Sequence, residues 1–183
     1  MKFISLLPVC DEGDVIAECL EHLLQWSDEI YVFDTGSSDD TWEIVNAYAA
    51  RERSIRLLGQ RRVFFSEKIV RAWMFQEARS SLRNGDWFLR VDADEFHHIA
   101  PPEFVKIHLR PHETIAYHQY YNFAFRESDV EAWNRGEESL EDRKRPVRER
   151  RRWYSISRYS EPRLCRYRDT MKWPPTVSFP FNA

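Results

Sequence analysis

Four short apolar runs set the frame: Phe3–Leu7, Ile30–Phe33, Ile55–Leu58 and Trp87–Val91. Each is almost continuous rather than alternating, as strands buried on both faces are. Between them, apolar residues recur at helical spacing. The first such stretch is Val15, Ile16, Cys19, Leu20, Leu23 and Leu24. In the second, Asp40-Thr41-Trp42-Glu43 resembles a capping box ahead of Val45 and Tyr48. The third is Ile69, Val70, Trp73, Met74, Glu77 and Ala78, ended near Asn84-Gly85. Strand and helix in strict alternation predict an α/β fold with a mainly parallel sheet. Right-handed crossovers put helices on both faces, and ligands bind beyond the carboxyl ends of the strands. Three such ends carry acids and should share one rim: Pro8–Glu12, Asp34–Asp39 and Asp92–Glu95.

The second part of the chain reads differently. Pro101-Pro102 suits a helix start. Thr114–Phe125 alternates, with Ile115, Tyr117, Tyr121, Phe123 and Phe125 on one face of an antiparallel strand. Residues 126–152 are strongly charged and predict a helix and a mobile segment. Pro162–Arg168 reads as a further strand, and Trp173-Pro174-Pro175 as a rigid turn. The chain ends at Phe181-Asn182-Ala183 without a closing helix, which reads as an incomplete second half. No internal repeat is present.

With 183 residues, 43% hydrophobic and 15% aromatic, the chain is long enough for one ordered domain spanning 1–183 and too short for two comfortable ones. No apolar run reaches the roughly 20 residues of a membrane helix. Cys10, Cys19 and Cys165 form neither a disulfide framework nor a zinc knuckle. The first residues lack the long apolar region of a signal peptide, so the expected location is cytoplasmic.

Charge is uneven. Residues 1–142 carry 15 basic and 27 acidic residues, whereas 143–168 carry 11 basic and two acidic. An arginine-rich strip on an acidic body suggests an anionic partner. It suits a lid over a diphosphate, or a peripheral contact with an anionic membrane surface; Arg150, Arg151 and Arg152 test either. A nucleic-acid partner is not expected, because the acidic body repels a polyanion and no nucleic-acid module is recognisable.

Asp92-Ala93-Asp94 follows directly on a buried strand. Two hard carboxylates there suit Mg²⁺ or Mn²⁺, which take one or two carboxylates plus substrate phosphates. Asp-x-Asp alone is common by chance; its place after Trp-Phe-Leu-Arg-Val, beside a second strand ending in Asp34, gives it weight.

Four ordered segments then carry a family resemblance. Pro8-Val9-Cys10-Asp11-Glu12 resembles the Pro-x-x-Asn-Glu opening of the inverting family two of the GT-A glycosyltransferases. Val32-Phe33-Asp34-Thr35-Gly36-Ser37-Ser38-Asp39-Asp40-Thr41 is similar to its Val-x-Asp-x-Gly-Ser-x-Asp-x-Thr. Phe65–Ala78, with Arg71, resembles the helix bearing a nucleotide-facing arginine. Gly85–Glu95 resembles its Gly-Asp-Trp strand ending in Asp-Ala-Asp-Glu. The resemblance implies a nucleotide-diphospho-sugar transferase, metal-dependent and inverting, with residues 1–100 as the nucleotide-sugar half and 101–183 as the acceptor half. It implies that Pro8 and Cys10 line the base pocket with Glu12 in register. It also implies that Asp34 accepts from the base edge, Arg71 lies near base or diphosphate, Asp92 meets ribose or metal-bound water, and Asp94 holds the metal. Asp11 departs from the family's Asn. Glu161-Pro162-Arg163-Leu164-Cys165-Arg166 resembles the Pro-Arg-Leu-Phe-Arg strand of some members. The base that deprotonates the acceptor hydroxyl comes from the second half in this family, and Asp129, Glu131 and Glu161 remain alternatives. For the acceptor, a saccharide, a lipid, a protein and a small molecule remain alternatives.

Other residues take blander readings. His97 and His98 read as partly exposed, and Glu95 as support for the strand-end turn. Trp133, Trp153, Tyr154 and Tyr159 read mainly as core. Cys10 lacks a pairing His and is not a nucleophile. The second functional reading is a transferase-like protein that binds nucleotide without turnover. Dinucleotide and P-loop enzymes are disfavoured by the absence of Gly-x-Gly-x-x-Gly after Phe3–Leu7 and of Gly-Lys-Ser/Thr.

Overall fold

The computed structural model describes residues 1–63, 67–124, 126–137, 139–143, 145–146, 149 and 153–171. The order is β1 (Phe3–Val9), α1 (Ile16–Leu24), β2 (Glu29–Asp34), α2 (Thr41–Arg51), β3 (Ile55–Gln60), α3 (Glu67–Ala78), β4 (Trp87–Arg90), α4 (Pro101–His108), β5 (Ile115–Phe123), α5 (Glu127–Asn134), α6 (Leu140–Arg143) and β6 (Tyr154–Arg166). They build one six-stranded sheet in the order β3-β2-β1-β4-β6-β5. The first four strands are parallel; β6 runs antiparallel to β4, and β5 antiparallel to β6. The α/β alternation is therefore as the apolar pattern requires.

Each face of the sheet has its own core. Leu7, Val9, Leu89 and Leu164 pack with Ile16, Cys19, Leu20 and Leu23 of α1 and Val45 of α2. Ile4, Leu6, Phe33 and Phe88 pack with Val70, Met74 and Phe75 of α3. Aspartates anchor the start of β1: Asp86 Oδ1 accepts from Lys2 N at 2.7 Å and Asp28 Oδ2 from Phe3 N at 2.7 Å.

Several local expectations need correction. The side chain of Asp40 makes no cap on α2. Asp39 takes that part, its Oδ1 accepting from Thr41 N at 3.0 Å and from Thr41 Oγ1, while Thr41 Oγ1 in turn accepts from Glu12 N at 2.7 Å. The cap is displaced by one residue because it also ties the β1 and β2 loops together. Helix α3 ends at Ala78 in a 3₁₀ turn, Arg79–Ser81, well before Asn84-Gly85. Strand β6 begins at Tyr154 rather than near Pro162, because pairing with β5 extends it. Residues 127–134 and 140–143 are helical. Trp133, Trp153, Tyr154 and Tyr159 are exposed rather than core, Tyr159 at 80%. Tyr154 and Tyr159 lie on the part of β6 that runs beyond β4, which pairs with β6 only at Leu164–Arg166. Phe125, Arg150 to Arg152 and Trp173-Pro174-Pro175 lie outside the described residues.

Two register shifts mark the β5–β6 pair. Ala116 faces Leu164 and Tyr117 faces Pro162, so Arg163 is the extra residue of a bulge.

Candidate active site

The β1, β2 and β4 ends open on one cleft of about 610 Å³, lined by Pro8, Cys10, Glu12, Thr35, Gly36, Ser38, Arg62, Asp92 and Asp94 among others. The parallel strands bring these segments together from far apart in sequence.

The walls are built from short polar turns. Asp11 has φ of 55°, a left-handed conformation that Asp and Asn tolerate better than most residues. That shared tolerance explains why Asp stands where the resemblance leads to Asn. Its N–H donates to Ser37 Oγ at 2.9 Å, and its Oδ1 accepts from Ser38 N at 2.6 Å. Asp34 is fully buried, and its Oδ1 accepts from Gly36 N and Ser37 N, both at 2.7 Å. It thus holds the turn, with Gln60 Nε2 donating to its Oδ2 at 3.3 Å. Gly36 has φ of 116°, and a Cβ there would sit 2.8 Å from Arg62 Cα. Only glycine fits that approach.

The floor is acidic. Glu12 is pushed up to about 7, first by burial and then by the charges of Asp94, Asp14, Asp92 and Asp39. Asp94 opens to the cleft, and its pKa is raised by burial and by Asp92. Asp92 is held on both sides. Buried Arg71 of α3 pairs with its Oδ1 and also donates to Val91 O at 3.2 Å. Arg163 Nη1 faces its Oδ2 at 2.9 Å. Arg71 and Asp34 do not line the cleft, whereas Pro8, Cys10, Glu12, Asp92 and Asp94 do.

Sequence reasoning places Arg163 in a strand that resembles the family's Pro-Arg-Leu-Phe-Arg but gives it no role. Its Nη2 donates to Glu95 Oε1 at 2.9 Å, its Nε lies 3.3 Å from Glu161 Oε2, and its Nε also donates to Tyr120 Oη. Burial works against its charge, but Glu95 and Asp92 outweigh that and raise its pKa. Glu95, itself pushed up to about 7 by burial and by Asp92, braces the turn through this arginine. The available signal for Arg163 was its place in the Glu161-Pro162-Arg163-Leu164-Cys165-Arg166 segment.

The three carboxylates considered as base separate in space. Glu161 reaches the cluster through Arg163 and pairs with Arg90 at 3.7 Å. Asp129 accepts from Arg126 N at the start of α5, and Glu131 pairs with Arg135 on its exposed side. His97 turns inward. Its backbone N–H donates to His22 Nε2 at 3.0 Å, and its ring meets His118 and Trp26. Cys10, Cys19 and Cys165 are free thiols.

Among the described residues no three His, Cys, Asp or Glu form a metal cage. Asp94, open to the cleft and crowded by like charge, still fits a cation that takes most of its oxygens from phosphate and water. Among the described residues, no helix is long and apolar enough to cross a membrane.

Comparisons with known proteins bear on the family and the fold. The glycosyltransferase GlyG of Streptococcus pneumoniae serotype 4 is 28% identical over 93 residues, 49% of this chain and 29% of that protein. The chain thus spans under a third of that curated relative. Mannosyltransferase PcManGT from Pyrobaculum calidifontis, solved with GDP-Man and Mn²⁺, is 19% identical over 62% of this chain and 34% of its own, with a TM-score of 0.48. A 4-diphosphocytidyl-2C-methyl-D-erythritol synthase shares the fold at 10% identity and a TM-score of 0.51, over 90% of this chain and 75% of its own. That likeness concerns the α/β fold alone. Residues 6–169, nearly the whole chain, match the profile of glycosyl transferase family 2, and the chain belongs to that family.

Proposed function

We propose that the protein transfers a sugar, with inversion, from a nucleoside-diphosphate donor held in the cleft at the ends of β1, β2 and β4. The observation that carries this reading is Asp94, an open carboxylate on an acidic floor between two backbone-rich walls. Asp94 would hold Mg²⁺ or Mn²⁺, and such a cation would neutralise the departing diphosphate. Pro8, Cys10 and Glu12 offer a pocket for the base. Asp34 shapes it by fixing the Gly36-Ser37 turn. Arg71 acts on the donor through Asp92, which it holds in place. Glu161 is the favoured base of the three candidates, because it alone of them joins the cluster around Asp92. Residues 1–100 serve the donor and 101–183 the acceptor. The exposed rings of Tyr117, Tyr121 and Tyr154 offer flat faces of the kind on which sugars stack.

Calorimetry with UDP, GDP, dTDP and CDP, in Mn²⁺ or in chelator, tests the donor site. One nucleotide should bind in Mn²⁺ and lose most of its affinity in chelator and in Asp94→Asn. A folded protein that binds none of the four, or binds equally well in chelator, would sink the reading.

A further inference from the structure

We propose that Arg163 is a positioning residue for the transfer reaction: one buried guanidinium grips Asp92 and Glu95 together and fixes the turn that presents Asp94. This rests on the reading of Asp94 as the group that faces metal and donor.

The geometry singles Arg163 out. Asp92 and Glu95 belong to the same short turn, closed by a bond from Glu95 N to Asp92 O at 3.1 Å. Arg163 Nη2 donates to Glu95 Oε1 at 2.9 Å, and Nη1 lies 2.9 Å from Asp92 Oδ2 as an ion pair without hydrogen-bond alignment. The planar fork of arginine spans two acceptors, and an ammonium does not. The side chain is only 7% exposed, so solvent screens these contacts little. The bulge that leaves Arg163 without a partner on β5 aims it out of the regular ladder, and bulges beside active sites re-aim side chains in this way. Tyr120, from the neighbouring strand, accepts from Nε and holds the fork from behind. Arg71 grips the other oxygen of Asp92 from α3. The turn is therefore clamped from both halves of the chain, and Arg163 is the clamp from the second half. Asp94 lies between the two gripped residues.

Two measurements on Arg163→Gln test the proposal. The first needs no ligand: hydrogen exchange of the Glu95 amide. Opening of the turn should speed it by about tenfold or more, while amides of β1 and β2 keep their rates. An unchanged Glu95 rate would overturn the proposal. The second is Mn²⁺-dependent nucleotide binding, which should weaken by about 10- to 100-fold. Arg163→Lys should not restore it, because charge alone cannot grip two carboxylates. Asp92→Asn combined with Arg163→Gln should bind no worse than the weaker single variant, since both break one clamp. Rescue by Lys, or losses that multiply, would overturn the proposal. If the Gln variant does not fold, Arg163→Lys carries both readouts. Wild-type protein that binds no nucleotide in Mn²⁺ would fail the donor reading itself, and the exchange rates would still decide whether Arg163 orders the turn.

Discussion

Strand β1 keeps all seven of its residues out of water, whereas β5, nine residues long, buries only Ala116. In sequence, β1 is an almost continuous apolar run, whereas β5 interleaves apolar and aromatic residues with His118, Gln119 and Asn122. β1 has strands on both sides and helices over both faces, so Leu6 and Leu7 enter opposite cores. β5 is the edge of the sheet, and Ile115, Tyr117, Tyr121 and Phe123 stay exposed. The comparison separates two uses of apolar residues. In the centre they fix the positions of three strand ends to which the acids are attached. At the edge they form a surface.

The largest test of this contrast is a pair of truncations. Leu7→Ala should cost about 2–5 kcal/mol in urea unfolding, as a fully buried leucine does. Tyr121→Ala should stay within about 0.5 kcal/mol. Equal losses would break the contrast. A second pair compares glycines with positive φ. Gly36→Ala meets Arg62 at 2.8 Å from its Cα and should cost about 1–3 kcal/mol, with loss of nucleotide affinity. Gly136→Ala, at φ of 73° in open space beyond α5, should cost about 1–2 kcal/mol and leave nucleotide affinity unchanged. Affinity lost in both would mean that the two regions are not independent.

The smallest test lies on the inner side of β5. Burial, followed by neighbouring cations, pushes His97 down to about 3 and His118 down to about 4, against an ordinary value of 6.5. As pH falls below 6.5, the unfolded chain takes up protons that the folded protein refuses. Their contribution is thus complete above pH 6.5 and is lost as pH falls toward 4 and 3. Glu12 and Glu95, raised to about 7 from 4.5, act in the opposite sense: their contribution is complete below 4.5 and is lost as pH rises through 7. His118→Asn removes one histidine from this balance. Its Tm deficit relative to wild type should shrink between pH 7.5 and 4.5, and a constant deficit would show that the edge strand is not electrostatically seated.

The central strands were legible because burial on two faces leaves an unbroken apolar run, and Asp94 because it follows such a run directly. The exposure of Tyr121 and Phe123 was not. Alternation tells which residues share a face, while coverage of that face depends on what packs there. Arg163 was hidden for a different reason. A strand with alternating apolar residues has no local mark for a bulge, and the partner Glu95 lies 68 residues away. The inward turn of His97 likewise depends on α1 and β5, which no local pattern near His97 reveals.

That separation also has a meaning in time. A ribosome adding about 5–20 residues per second needs about 3–14 s to travel from Glu95 to Arg163. Hairpins and helices form in microseconds once the chain has emerged. A sheet of β1 to β4 alone would have β4 as its edge, and Asp92 would have Arg71 but not its second arginine. The nascent chain therefore owns the walls of its cleft well before it owns a braced floor. Strand β6, made after the first four, completes the site that they began.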